Sequence, residues 1–235
     1  MADILVFSPH PDDAEMGCGA TISAHVRQGA SVVVVDATRG ELGSRGTIEE
    51  RAKESAAASR ILGLAARENL GLPDGHIPTD DHAARALVID ALRRHRPQVV
   101  LCISGHARHP DHIALARLVE PAVKAAALHK LITPSGAPAI ASARLWFYEA
   151  ELPAQAQLLV PCTEEDWSRK RAAVLCYASQ LHREGASGPT TSISVPGFVD
   201  ALEAKARAWG LHAGAPFAEA FTGPEMARIG DLRGV

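Results

Sequence analysis

Three runs of four or five apolar residues, Ile4–Phe7, Val32–Val35 and Val99–Ile103, constrain this chain more than any other feature. Each is too short for a stable helix, is bounded by turn residues and is dominated by Val and Ile. Because no polar residue alternates within them, they read as strands buried on both faces, the state of a strand inside a parallel sheet. Helical periodicity fills the gaps, over Ala14–Gln28, Ile48–Leu62, Asp80–His95 and Ile113–Leu128. Gly29 and Gly63 stop the first two, and Arg96-Pro97 stops the third. Strand and helix in alternation predict an α/β fold: a Rossmann-like, doubly wound, mostly parallel sheet with helices on both faces. The last third reads as a strand over Arg144–Ala150, a helix over Thr163–Leu181, a Gly/Ser/Thr-rich loop over Arg183–Pro196 and a helix over Val199–Gly210. With no repeat and no linker, the expectation is one domain over residues 1–235.

Charge and hydropathy narrow the function classes. The formal net charge is −3 with no long run of one sign, which argues against a nucleic-acid surface. No apolar stretch approaches the roughly 20 residues of a membrane-spanning helix. The N-terminus runs straight into a strand without a basic leader, so a cytoplasmic location is expected. Cys18, Cys102, Cys162 and Cys176 are widely spaced and form no C-x-x-C pair, which suggests neither a disulfide framework nor redox chemistry.

In doubly wound sheets ligands bind beyond the carboxyl ends of the strands. Two segments follow strands directly. The first is Pro9-His10-Pro11-Asp12-Asp13-Ala14-Glu15. Two prolines hold His10 in an extended loop, and two carboxylates open the next helix. Helix capping explains one Asp, but not a His with two consecutive Asp. The second is His106-Ala107-Arg108-His109-Pro110-Asp111-His112. Pro110 suits the first helical position, so His109 precedes the helix and His112 falls in its first turn. Spaced three apart, these imidazoles can face one spot. A third loop near the strand ends is Ala37–Thr47.

A catalytic metal needs about three nitrogen or oxygen ligands and an open position for water. His10, Asp13 and His112 supply such a set. Asp12 is then the carboxylate left to act as base, His109 the donor to a developing oxyanion, and Asp111 the group that orients His109. A closed structural zinc site fits less well, since no cysteine joins the cluster. A nucleotide-binding module without catalysis would rest on Gly17-Cys18-Gly19-Ala20, which begins inside the helix rather than in the strand-to-helix turn.

Together, the PHPDDAE and RHPDH segments resemble the PIG-L/LmbE-type zinc-dependent N-acetylglucosaminyl deacetylases. Thr38–Gly43, Glu50–Ala52 and Asn69–Asp74 are also similar to that family, and Tyr177–Gln180 and Ala218–Phe221 to its bacillithiol-pathway branch. The resemblance implies Zn2+ on His10, Asp13 and His112, although such mixed imidazole and carboxylate ligands also suit Fe2+ or another divalent metal. It implies Asp12 as general base and His109 as stabiliser of the tetrahedral intermediate, with Arg51 and Arg108 holding the sugar substrate. It further implies a small amino-sugar substrate, N-acetylglucosaminyl-malate in that branch, and a homo-oligomer, trimer or hexamer. Other amino sugars or thiol conjugates are alternative substrates. For Arg51, on a Glu/Arg-rich helix, a solvated surface charge is the competing reading. One departure concerns Phe198, which stands where related enzymes carry a tyrosine, so a hydroxyl donor is missing there.

Overall fold

The computed structural model describes residues 1–149, 156–185 and 188–224. β1 (Ile4–Ser8), β2 (Val32–Asp36) and β4 (Val99–Ile103) lie at the expected places, with nearly every residue buried. One seven-stranded sheet has the order β3-β2-β1-β4-β5-β7-β6, where β3 is Ala66–Asn69, β5 Arg144–Tyr148, β6 Leu158–Cys162 and β7 Phe217–Thr222. The first five strands pair in parallel; β7 runs antiparallel to both β5 and β6. The expected mostly parallel, doubly wound sheet is therefore present, with an antiparallel edge added by the last third.

Three strands escape the sequence pattern. β3 reads Ala-Arg-Glu-Asn and is half exposed, because an edge strand needs no apolar run. β6 contains Pro161, which is tolerated only at a sheet edge or bulge. β7, Phe-Ala-Glu-Ala-Phe-Thr, carries the buried Glu219 in its middle, so no unbroken apolar run marks it. The helix expected over Thr163–Leu181 stops at Leu175, where the chain turns so that Tyr177 is buried.

Helices α1 (Asp13–Arg27), α2 (Ile48–Leu62) and α5 (Glu164–Leu175) pack on one another, and α3 (His82–His95) pairs with α4 (Pro110–Ala125). α6 (Phe198–Ala213) covers β6 and β7. Local chemistry sets the ends. Thr47 and Glu50 form a reciprocal capping box on α2, which Gly63 ends at φ 72°. Asp81 caps α3 by accepting from Ala83 and Ala84. Sealed side chains such as Leu5, Phe7, Ile103 and Leu115 fill the core, each worth about 1.5–3 kcal/mol of burial. The strand order reverses between β1 and β4, the place where such sheets open a crevice.

Candidate active site

The loop leaving β1 is held by short-range bonds. Ser8 Oγ donates to the His10 carbonyl at 2.7 Å, and the His10 amide donates to Asp13 Oδ2 at 3.1 Å. Asp12 precedes α1 with φ 133°, a backbone state that L residues rarely adopt. Such strain persists only where the surroundings impose it. Here the agent is Arg51, whose Nη2 donates to the Pro11 carbonyl at 2.8 Å and to Asp12 Oδ2 at 3.2 Å, while Nη1 donates to the Gly40 carbonyl at 3.2 Å. Arg51 is 5% exposed, so the surface-charge reading does not hold.

Across the crevice, His109 caps α4 by accepting the Asp111 amide proton on Nδ1 at 3.2 Å. Its ring stands 4.8 Å from that of His10 and 5.0 Å from that of His112, centroid to centroid. Asp13 joins the two sides: Oδ2 lies 3.0 Å from His10 Nδ1, and Oδ1 lies 3.4 Å from His112 Nε2. The six residues His10, Asp12, Asp13, Arg51, His109 and His112 line one cavity of about 490 Å3. Arg108 is exposed at the same cavity, and Phe198 contributes to its apolar wall.

One expectation needs correction. Asp111 does not orient His109 with its carboxylate. Placed one residue into the first turn, its side chain turns back to accept from Gly75 N at 2.7 Å and Ile77 N at 3.3 Å, and it lies 3.3 Å from His10 Nε2. Its task is to hold His10 and the loop of residues 75–77. His109 can donate as a neutral ring. Burial, then the charges of His10 and His112, lower its pKa below the ordinary imidazole value. Because Nδ1 accepts the Asp111 amide, a neutral ring carries its proton on Nε2 and can still donate.

Sequence reasoning misses Asp74 as a site residue, although it lies 3.0 Å from His10 Nε2 and lines the cavity. In the sequence it stands in Pro73-Asp74-Gly75, which reads as an ordinary turn. Burial opposes the charge on His10, but hydrogen bonding to Asp111, Asp13 and Asp74 outweighs it and raises the pKa well above the imidazole norm. Burial also pushes the Asp12 carboxyl up to about 7, against the pull of Arg51.

Among the described residues, two groups of side chains bring ligand atoms close enough for an ion: His10, His109 and His112, and His10, Asp74 and Asp111. In the second, Asp111 and Asp74 already accept backbone amides, from Gly75 and Leu42, both at 2.7 Å. That is how carboxylates behave when they orient a ligand histidine from behind. With an ion bound, His10 would keep a proton on Nε2, facing Asp74 and Asp111, and Nδ1 would be left to the ion together with Asp13 and His112. The donor set on the cavity side therefore fits a divalent metal.

Gly17 and Gly19 serve packing rather than phosphate binding. A Cβ at Gly17 would collide with the Tyr148 ring, and one at Gly19 would come within 3.0 Å of the Lys170 stem. The nucleotide-module alternative loses its support.

The model of the PIG-L family, described as GlcNAc-PI de-N-acetylase, matches residues 5–123. This chain belongs to the PIG-L family. The 1D-myo-inositol 2-acetamido-2-deoxy-alpha-D-glucopyranoside deacetylase of Kineococcus radiotolerans is 30% identical over 164 residues, covering 53% of this chain and 45% of that protein. The chain spans less than two thirds of the length of the first curated relatives it matches. Among solved structures, the conserved protein TT1542 from Thermus thermophilus is 41% identical with a TM-score of 0.87, over 97% of both chains. GalB, the 4-carboxy-2-hydroxymuconate hydratase from Pseudomonas putida KT2440, is 21% identical with a TM-score of 0.82, covering 99% of this chain and 100% of that one, a likeness of fold alone.

Proposed function

We propose that this chain is a metal-dependent N-deacetylase that cleaves the acetamide of an N-acetylglucosamine-type sugar. The observation that carries this reading is the convergence of His10, Asp13 and His112 beside Asp12, a buried carboxylate pinned by Arg51. His10 Nδ1, Asp13 and His112 Nε2 would hold the ion, zinc or another divalent metal such as iron(II). Such an ion supplies Lewis acidity and a water of lowered pKa. Asp12 takes the proton of the attacking water, a role suited by a carboxyl raised to about 7. Arg51 limits its motion and keeps it turned into the cavity. His109 donates its Nε2 proton to the oxygen of the acetamide as negative charge builds there; such a donor is typically worth roughly 10²–10³ in rate. Asp12 then passes its proton to the departing amine. Asp74 and Asp111 hold His10 in its tautomer.

The Kineococcus relative carries the name of a deacetylase of an inositol glucosaminide, which supports an amino-sugar glycoside as the substrate class here. Within that class we favour N-acetylglucosaminyl-malate, on the likeness of Tyr177–Gln180 and Ala218–Phe221 to the bacillithiol branch. Arg108, exposed at the cavity, suits its carboxylates. The buried Arg51 is assigned to Asp12 rather than directly to the substrate. A homo-oligomer, trimer or hexamer, and a cytoplasmic location belong to the same proposal. No described helix is long and apolar enough to cross a membrane. Acetate release from N-acetylglucosaminyl-malate, free N-acetylglucosamine and chitobiose tests the reading, with Asp12→Ala as control. Preference for the malate conjugate, lost in the variant, supports reaction and branch together. Release from the other sugars alone keeps the reaction and removes the branch, and release from none removes the reaction.

A further inference from the structure

Gln180 follows α5, is 7% exposed, and lines the same cavity as the histidines. Its Nε2 donates to the Arg45 carbonyl at 2.7 Å and to Ser179 Oγ at 2.9 Å. These partners fix which way the amide faces. Ser179 Oγ gives its own proton to Glu54 Oε2 at 2.7 Å, so only lone pairs remain for Gln180. The Arg45 carbonyl can only accept. A flipped amide would set oxygen against oxygen at both contacts. Both N–H groups of Gln180 are thus committed to the protein, and Oε1 is left as a pure acceptor. That oxygen receives no hydrogen bond from any described residue and is not sealed from solvent.

The support behind Gln180 is firm. Glu54, on α2, accepts from both the amide and the hydroxyl of Ser179, each at 2.7 Å. Gly46, at φ 71°, lets the loop after β2 run closely over Ser179, where a Cβ would stand 2.7 Å from Oγ. A network reaching back to α2 therefore holds one acceptor in a fixed direction on the cavity wall, the arrangement by which pockets orient ligands.

We propose that Gln180 is a specificity-determining residue whose Oε1 accepts a hydrogen bond from a ring hydroxyl of the sugar. This rests on the deacetylase reading and refines it. A substrate lacking that hydroxyl leaves a buried acceptor unmet, and a carboxylate in its place brings lone pair against lone pair. The cavity thus selects a hydroxylated N-acyl amine around Gln180, opposite in character to the cation at Arg108.

The test uses the metal-loaded full chain and Gln180→Leu, with an N-acetylglucosaminide and its 3-, 4- and 6-deoxy analogues. In the wild type, one analogue should lose roughly tenfold in kcat/KM. Gln180→Leu should lose about as much on the parent sugar and no more on that analogue. If the variant merely loosens the loop, its penalty is the same on all four compounds, which overturns the proposal. If no deoxy analogue weakens the wild type, the proposal is overturned without any variant. If the wild type releases no acetate from the parent sugar, the deacetylase reading fails and this one with it.

Discussion

The parallel part of the sheet and its antiparallel edge contribute to the site in different ways. Beyond β1 and β4 the reactive side chains are fixed from within the parallel part: Asp13, Asp74 and Asp111 hold His10, Arg51 holds Asp12, and the Asp111 amide holds His109. The edge acts at long range. α1 departs from helical geometry at Cys18, which separates the Met16 carbonyl from the Ala20 amide it would ordinarily receive. Lys170 on α5 donates to the Met16 carbonyl at 2.7 Å, and Glu219 on β7 accepts from Ala20 at 3.2 Å and Thr21 at 2.7 Å. Lys170 and Glu219 are themselves a buried ion pair. The first half of α1, which carries Asp13, is thus braced by residues more than 150 positions away. The parallel part holds the reactive groups; the edge stiffens the helix that carries Asp13.

That contrast can be broken from either side. The largest effect is expected at Asp12: Asp12→Ala should lower kcat by two to four orders of magnitude while the protein keeps its metal. A loss of metal instead would show that Asp12 is a ligand. On the bracing side, Lys170→Met leaves Glu219 buried without its partner and should cost about 3–5 kcal/mol in denaturant unfolding. A cost near zero would mean that the kink needs no brace. Gly17→Ala drives a methyl into the Tyr148 ring at the contact between α1 and β5, with an expected cost of about 1–3 kcal/mol by the same measurement.

The smallest effect concerns pH. Burial opposes the charge on Asp166, but hydrogen bonds from Arg27, Thr163 and Ser23 outweigh it and hold the carboxyl at about 2. With a folded pKa below the unfolded value, its contribution is present above about 4 and is lost as pH falls through about 2. Asp166→Asn should therefore cost about 1–2 kcal/mol at pH 7 and progressively less between pH 4 and pH 2. A pH-independent cost would point to shape rather than charge.

The sequence reveals what is local. His10, Asp12, Asp13, His109 and His112 are legible because each stands at the end of an apolar run, where topology alone predicts a crevice. The direction of the Asp111 side chain is not, since it depends on where residues 75–77 pass, 34 positions earlier. Asp74 is hidden in a Pro-Asp-Gly turn. Arg51 sits on a helix whose composition reads as surface, and only the Gly40 loop folding over it makes it buried. β3 and β6 escape notice because edge strands may be polar or carry proline.

The central claim, that His10, Asp13 and His112 form the metal site with Asp74 and Asp111 behind it, is tested most directly by crystallography. A crystal grown with zinc, measured at the zinc absorption edge, locates the ion by anomalous scattering. The account predicts one strong peak on the cavity side, within bonding distance of His10 Nδ1, Asp13 and His112 Nε2. A peak between His10 Nε2, Asp74 and Asp111, with the cavity side empty, would contradict it.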